Sequence, residues 1–280
     1  MALNIQTNVA SLEATRNVSR NQRALSASYN KLSSGFRVNT AADDAAGLAI
    51  SESMKSQIRS YTVAERNAAD GISMAQTAEG ALGEVHDVLG RMRELAMQAA
   101  NGSLSSTDRD YLSTEFSSLQ GEIQRIQAST KFNGNELISN AAAGDVAFQV
   151  GLTSDSNDQI TVSFNGLSGL DDVINTGTTL LTGTDGTNAL TALDAIDTAI
   201  GVVSGARATF GAAMNKLQVA TNNIQTMRLN ITAANSRIRD VDVAEESATM
   251  AKNQVLSQAS ISVLAQANQL PQLAFSLIGR

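Results

Sequence analysis

Between Leu190 and Val241 the residues Ile196, Ile200, Val203, Phe210, Met214, Leu217, Thr221, Ile224, Ile231 and Ile238 fall on one three-and-four spacing, with mostly Ala, Thr, Asn, Asp and Arg between them. That pattern is a heptad seam, and no proline interrupts it. At 1.5 Å per residue it predicts a rod of about 75 Å, far longer than an average globular helix. A narrow stripe on so long a rod is buried only against other long helices, which the rest of the chain is expected to supply.

Residues 3–36 read as an amphipathic helix, begun by Ile5, Val9 and Leu12 and finished by Leu25, Tyr29, Leu32 and Phe36, with a break at Ser34-Gly35. A second helix is expected from Thr40. Thr40 with Asp43 has the form of a capping box, and Asp43 and Asp44 sit where the helix dipole favours negative charge. Adjacent carboxylates on a helix diverge in direction, so capping is favoured here over acid–base or metal chemistry. Ile58, Tyr61, Ala68, Ile72, Ala75, Leu82, Leu89 and Ala96 carry this helix to a stop at Asn101-Gly102. A shorter helix follows, with Thr107 and Asp110 as its expected cap and Leu112, Phe116, Leu119, Ile123 and Ile126 as its stripe. Phe132-Asn133-Gly134 is a turn signal. These two helices and the rod make a predicted bundle of three.

Helical periodicity is lost over 141–189, where Ala147 to Val150 and Gln159 to Phe164 read as two strands of a hairpin. The last segment, 240–279, is apolar on more than one face through Met250, Val255, Leu256, Ala259, Ile261, Val263, Leu264, Ala267 and Leu270, and Pro271 is expected to break or kink it. Both chain ends carry more apolar surface than one helix face can hide. Burial between copies of the chain is the favoured explanation. The predicted fold class is therefore mainly α, a long antiparallel helical bundle built from both chain ends with a small β-hairpin insertion.

Composition removes several functions. The net charge of −7 argues against a nucleic-acid-binding face, and the absence of cysteine excludes disulfides, thiolate catalysis and cysteine-bound metals. Charged residues are 17%, against roughly 25% in a typical soluble domain, which suits helices packed against neighbours. Met1 to Arg20 shows no basic start followed by an apolar core, and no apolar run approaches the roughly 20 residues of a membrane span. No membrane partner is expected, and any export must read another signal. The one histidine, His86, forms no metal-binding motif and reads as a helix-surface residue; no nucleophile elbow, phosphate loop or dinucleotide fingerprint is present. No catalytic residue, cofactor or metal is expected. Arg91, Arg93 and Glu94 read as a solvated face with local ion pairs.

Five stretches together resemble bacterial flagellin: Leu3-Asn-Ile-Gln-Thr-Asn-Val-Ala-Ser-Leu12, Leu25-Ser-Ala-Ser-Tyr-Asn-Lys-Leu-Ser-Ser-Gly35, Asn39-Thr-Ala-Ala-Asp-Asp-Ala-Ala-Gly-Leu-Ala-Ile50, Thr130-Lys-Phe-Asn-Gly134 and Leu270-Pro-Gln-Leu-Ala-Phe-Ser-Leu-Ile-Gly-Arg280. The resemblance covers about 1–140 and 190–280. It implies an extracellular subunit of the flagellum that polymerises with itself, with 1–40 and 240–280 paired as an inner domain that is disordered before assembly. It further implies a rod domain of 41–140 and 190–239, with 141–189 facing outward. Leu3, Ile5, Val9, Leu25, Leu32, Phe36, Leu256, Val263, Leu264 and Leu270 are the expected filament-packing residues. Leu82, Leu89, Phe116, Leu119, Ile123, Ile200, Phe210, Leu217, Ile224 and Ile231 are the expected bundle core. The implied partners are an export chaperone and the flagellar type III apparatus, filament-cap and hook-junction proteins, and a Toll-like innate receptor meeting Arg91, Leu95 and Glu115. A hook–filament junction protein shares the terminal design and is the alternative; the Asn39–Ile50 connector and Phe132-Asn133-Gly134 favour flagellin.

Overall fold

Asn8 opens the first helix, α1 (Val9–Ser34), by accepting the Ser11 N–H on its side chain, and Gly35 closes it at φ +74°, a left-handed conformation that glycine adopts without strain. The computed structural model describes residues 7–139, 144–164, 170, 173, 181–182 and 186–278, with side chains described as far as 269. Leu3 and Ile5 lie outside the described residues, as does the Leu270 side chain. The remaining helices are α2 (Ala45–Ala99), α3 (Ser106–Ser129), α4 (Thr187–Arg239) and α5 (Val243–Ile278). The strands are β1 (Lys131–Phe132), β2 (Asn135–Glu136), β3 (Gly144–Gln149) and β4 (Gln159–Phe164). They form two compact units, Met1–Ile58 with Leu229–Arg280, and Arg59–Arg228.

In the Arg59–Arg228 unit, α2 contributes two rows at seven-residue spacing. Ala68, Ala75, Leu82, Leu89 and Ala96 form one; Ala64, Gly71, Ala78, Val85, Met92 and Ala99 form the other, and all are buried. Helix α4 answers with Ile196, Val203, Phe210, Leu217 and Ile224, beside a second row of Ala192, Ala199 and Ala213. The sequence pattern located the large row and missed the small one, taking Ile200 and Met214 where Ala199 and Ala213 do the packing. Ile200, Met214 and, on α3, Leu119 are only half-buried, flanking the core rather than filling it. Ile231, in the other unit, is half-buried too. A hydrophobicity scan scores alanine low, yet its missing bulk is what lets two long helices approach closely. Leu82, Leu89, Phe116, Ile123, Phe210, Leu217 and Ile224 lie in the core as expected.

Two helix starts differ from expectation. The carboxylate of Asp43 accepts the Thr40 N–H and hydroxyl, but this closes a turn before the helix; Asp44 caps α2 by accepting the Gly47 N–H at 2.9 Å. The box opening α3 is Ser105 with Asp108, each side chain accepting the other's backbone N–H, rather than Thr107 with Asp110. Nor does Pro271 break α5, which continues to Ile278.

The other end of α2 is held by a buried arginine of α3. Arg109 of α3 is 1% exposed and donates from Nε to the Ala99 carbonyl and from Nη2 to the Asn101 carbonyl, at 2.9 and 3.0 Å. A cation at a helix C-terminus meets the negative end of the dipole while satisfying carbonyls that have no partner within the helix. Arg109→Ala removes both donors, leaving the Asn101 carbonyl only the Leu104 N–H at 3.3 Å, and is expected to cost about 2–4 kcal/mol. Thermal unfolding of the purified protein checks this; a melting temperature within 1–2 °C of the parent, roughly the shift of half a kcal/mol in a unit this size, contradicts it.

Strands β3 and β4 pair antiparallel from Gly144 opposite Phe164 to Gln149 opposite Gln159, so β3 begins three residues earlier than predicted and ends one earlier. Val162 and Phe164 sit in the core, and the Phe164 ring lies 5.3 Å from that of Phe210. A Cβ at position 71 would come within 3.1 Å of both Phe148 and Leu217, so Gly71 makes room for the hairpin on α2. Asn133 and Gly134, both at positive φ, form the two-residue turn between β1 and β2. The first part of α4 includes an eighteen-residue window of mean hydropathy 1.3, long and apolar enough by composition to cross a membrane, which corrects the sequence-based reading that no such run exists. Alanines raise that mean. Ile196, Ala199 and Val203 spend their surface in the core, and Asp197 pairs with Arg93.

Candidate assembly surface

The terminal helices pair with each other in the Met1–Ile58 and Leu229–Arg280 unit, running antiparallel. Asn8 Nδ2 donates to the Ala267 carbonyl at 2.8 Å, Ser11 to Asn268 Oδ1 at 2.7 Å, and Asn21 Nδ2 to Ser260 Oγ at 2.9 Å. Lys31 and Glu246 stand 3.8 Å apart toward the other end. Among the described residues the buried positions on this pair are small: Ala14 and Ser28 on α1, Ser257 and Ala267 on α5. Ala14, Asn21 and Ser28 repeat at seven residues, as do Asn253, Ser260 and Ala267. That small-residue repeat is the signal a search for large apolar residues passes over.

The large residues are therefore left outside the seam. Val9 is 57% exposed and Val263 55%; Leu12, Val255, Leu256 and Ile261 are exposed as well. Leu25, Leu32, Phe36 and Leu264 are half-buried. Exposed apolar residues scattered singly are ordinary, but contiguous ones mark interaction surfaces. Val255, Leu256, Ile261 and Val263 share less than three turns of one helix.

In the other unit, Arg91 donates from Nε and Nη2 to one oxygen of Glu115, at 3.0 and 2.8 Å, and from Nη1 to Glu94 at 2.8 Å. These acceptors, Glu115 first, push the Arg91 pKa up. Leu95, grouped with Arg91 and Glu115 in the sequence-based reading, is 1% exposed. It stands three residues after Met92 and four before Ala99, on the buried side of α2, so that surface reduces to the Arg91–Glu115 pair. His86 is half-buried rather than a surface residue, and its Nδ1 is buried with no hydrogen-bond partner among the described residues. A groove of about 380 Å³ under the β3–β4 loop is lined by Tyr61, Leu152, Asp158 and Met227 among others, with the Asp158 carboxylate occupied by the Thr153 N–H and hydroxyl.

Several exposed carboxyls titrate below their ordinary value of 3.8. Asp108 is lowered chiefly by the Ser105 hydroxyl and Asp197 by its hydrogen bond from Arg93. A folded-state pKa below the unfolded one gives stability that is present above the unfolded value and lost as pH falls through the folded value. The melting temperature of the unassembled protein is thus expected to fall below pH of about 4, and Asp108→Asn and Asp197→Asn to flatten that fall. Calorimetry across an acid series checks the slope; variants as steep as the parent contradict the assignment.

The chain is similar to known proteins. The family profile described as the bacterial flagellin N-terminal helical region matches residues 5–143, and that of the bacterial flagellin C-terminal helical region matches 193–278. A flagellin of Halalkalibacterium halodurans is 43% identical over 274 residues, covering 98% of this chain and 99% of its own. The chain belongs to the bacterial flagellin family. A flagellin of Bacillus subtilis is 39% identical over 303 residues, covering 99% of this chain and all of its own. The crystal structure of Bacillus cereus flagellin superposes with a TM-score of 0.50 at 37% identity, over 61% of this chain and 94% of that one. A putative flagellar hook-associated protein from Vibrio parahaemolyticus reaches 0.59 over 71% of this chain and 100% of that one; at 16% identity it shows a common fold. For a flagellin the terminal pair is the part of interest, because its large apolar residues face away from its own seam.

Proposed function

We propose that this chain is the structural subunit that polymerises with copies of itself into the bacterial flagellar filament, outside the cell, and that it performs no catalysis. The observation carrying this is the exposed apolar set on the terminal pair, headed by Val9, Leu256 and Val263, in a chain of the flagellin family. Residues 1–40 with 240–280 form the inner layer, where sister molecules cover these side chains. Residues 41–140 with 190–239 form the rod outside it, and 141–189 faces the exterior. An export chaperone and the flagellar type III apparatus deliver the chain, and cap and hook-junction proteins meet the two ends of the polymer. The exposed Arg91–Glu115 pair is the part of the rod that a Toll-like receptor contacts.

Salt-induced assembly of the purified protein, imaged by cryo-electron microscopy, tests the reading. Helical filaments of many hundreds of subunits are expected. Closed rings of a few copies, as a junction protein would make, or persistent monomers at every concentration overturn it.

A further inference from the structure

The groove under the β3–β4 loop contains an accessible sulfur. Met227 stands three residues after the buried Ile224 on α4, so it flanks the core row instead of filling it, and it lines the groove at 42% exposure. The Tyr61 hydroxyl of α2 donates to its Sδ at 3.3 Å. Both residues belong to the Arg59–Arg228 unit. Their contact is pinned one turn away, where Gln225 Nε2 donates to Glu65 Oε1 at 2.7 Å and Arg228 Nη1 pairs with Glu65 Oε2 at 3.0 Å. With both oxygens of Glu65 engaged by α4, the two helices are held against each other at this level, and the phenol is held on the sulfur.

A thioether sulfur carries two lone pairs, and an oxidant that reaches either one converts it to a sulfoxide. The sulfur then becomes a stereocentre, and each of the two epimers is the substrate of a different reductase class. On a freely turning methionine both lone pairs are open. On Met227 one of them carries the Tyr61 hydrogen bond, and the other is left to the groove. That space is about 380 Å³, many times the roughly 30 Å³ that a water molecule takes up in the liquid, so a molecule as small as hydrogen peroxide fits within it.

Three other methionines of the same unit frame the comparison. Met97 is 55% exposed and has no hydrogen bond to its sulfur among the described residues, while Met74 and Met92 are buried. Exposure separates Met97 and Met227 from the buried pair. Only the hydroxyl on Met227 separates the two exposed ones in kind.

We propose that Met227 is a site of reversible oxidation by peroxide, and that the Tyr61 hydroxyl directs the incoming oxygen to one face of the sulfur, so that a sulfoxide reductase of a single epimer class restores it. In the step, the free sulfur lone pair attacks one oxygen of hydrogen peroxide. The S–O bond forms as the O–O bond breaks, and the proton on the transferred oxygen passes to the departing hydroxide, leaving the sulfoxide and water. The sulfur loses two electrons and the peroxide gains them. The product sets a polar acceptor in a groove whose other walls include Leu152, Ile160 and Ile224, and reduction returns the apolar side chain to them.

Nothing in this depends on polymerisation, so dilute full-length protein is the material for the test. It is dosed with hydrogen peroxide and digested, and the peptides are treated with a reductase specific for the S or for the R sulfoxide before mass spectrometry. Met227 and Met97 are expected to oxidise at least tenfold faster than Met74 and Met92. At Met227 one reductase restores at least four times as much methionine as the other, whereas at Met97 the two agree within about 1.5-fold. Tyr61→Phe frees the second lone pair, so the ratio at Met227 falls to within about 1.5-fold and its oxidation speeds up about twofold. The parent chain oxidised while unfolded in urea gives an even ratio as well. Oxidation of Met227 no faster than that of Met92 overturns the proposal, as does an even ratio in the folded parent, an excess that persists in urea, or a fourfold excess that survives Tyr61→Phe. Slow oxidation of Met92 in the variant shows that its core is intact; where that protection is lost, the folded and unfolded parent decide the outcome between them.

Discussion

Deleting residues 1–36 or 241–280 abolishes polymerisation while leaving a folded, soluble monomer. Each deletion removes one partner of the α1–α5 pair and with it part of the exposed apolar set. Completing the burial of a half-exposed Leu, Ile or Val contributes about 1 kcal/mol, so the six exposed residues amount to roughly 6 kcal/mol per subunit. That is more than a thousandfold in the concentration at which subunits associate. The Arg59–Arg228 unit keeps its whole core, since none of its buried residues lies in either deletion. Sedimentation after salt addition, with circular dichroism on the supernatant, measures both outcomes. Filaments from either truncated form contradict the assembly surface; loss of helix in the remaining unit contradicts the division into units.

Leu217→Asp gives the largest expected loss of stability within the bundle. Leu217 is fully buried, and its side chain lies close enough to Gly71 to limit what that position can hold. A carboxylate buried there either stays charged away from water or takes up a proton, and each costs several kcal/mol once the lost apolar burial is added. A loss of at least about 3 kcal/mol corresponds to a fall of roughly 6–12 °C in melting temperature for a unit of this size. Ile224→Asp acts in the same direction with a smaller effect, because Ile224 retains 4% exposure near the end of the row. Differential scanning calorimetry of dilute, unassembled protein decides it. A melting temperature within 2 °C of the parent means that position 217 is not where the structure puts it.

The long helices were legible because their apolar residues recur at three and four over many turns, a period that only a helix satisfies. The turn at Asn133-Gly134 was legible because two consecutive positive φ angles favour those residue types. The surplus of apolar surface on the ends was legible too, from an α5 segment with apolar residues on more faces than one neighbour covers. The helix caps were read two residues late at Thr107 and four early at Thr40, since several adjacent Ser, Thr and Asp residues fit the same template and backbone geometry alone chooses among them.

What the sequence by itself determined is the set of helices, the hairpin and the surplus of apolar surface at the termini, because these follow from local periodicity and composition. Only the tertiary structure decided which residues fill the contacts. It gave the seams to Ala199, Ala213, Ser28 and Ser257, buried Arg109 and Leu95, and brought Arg239 onto Phe36 and Glu52 from opposite ends of the chain. The physical reason is that close packing rewards shape and reach across distant segments. A small residue earns its place by what approaches it, and a long cation by the acceptors it finds, and neither is written in the spacing of its own helix.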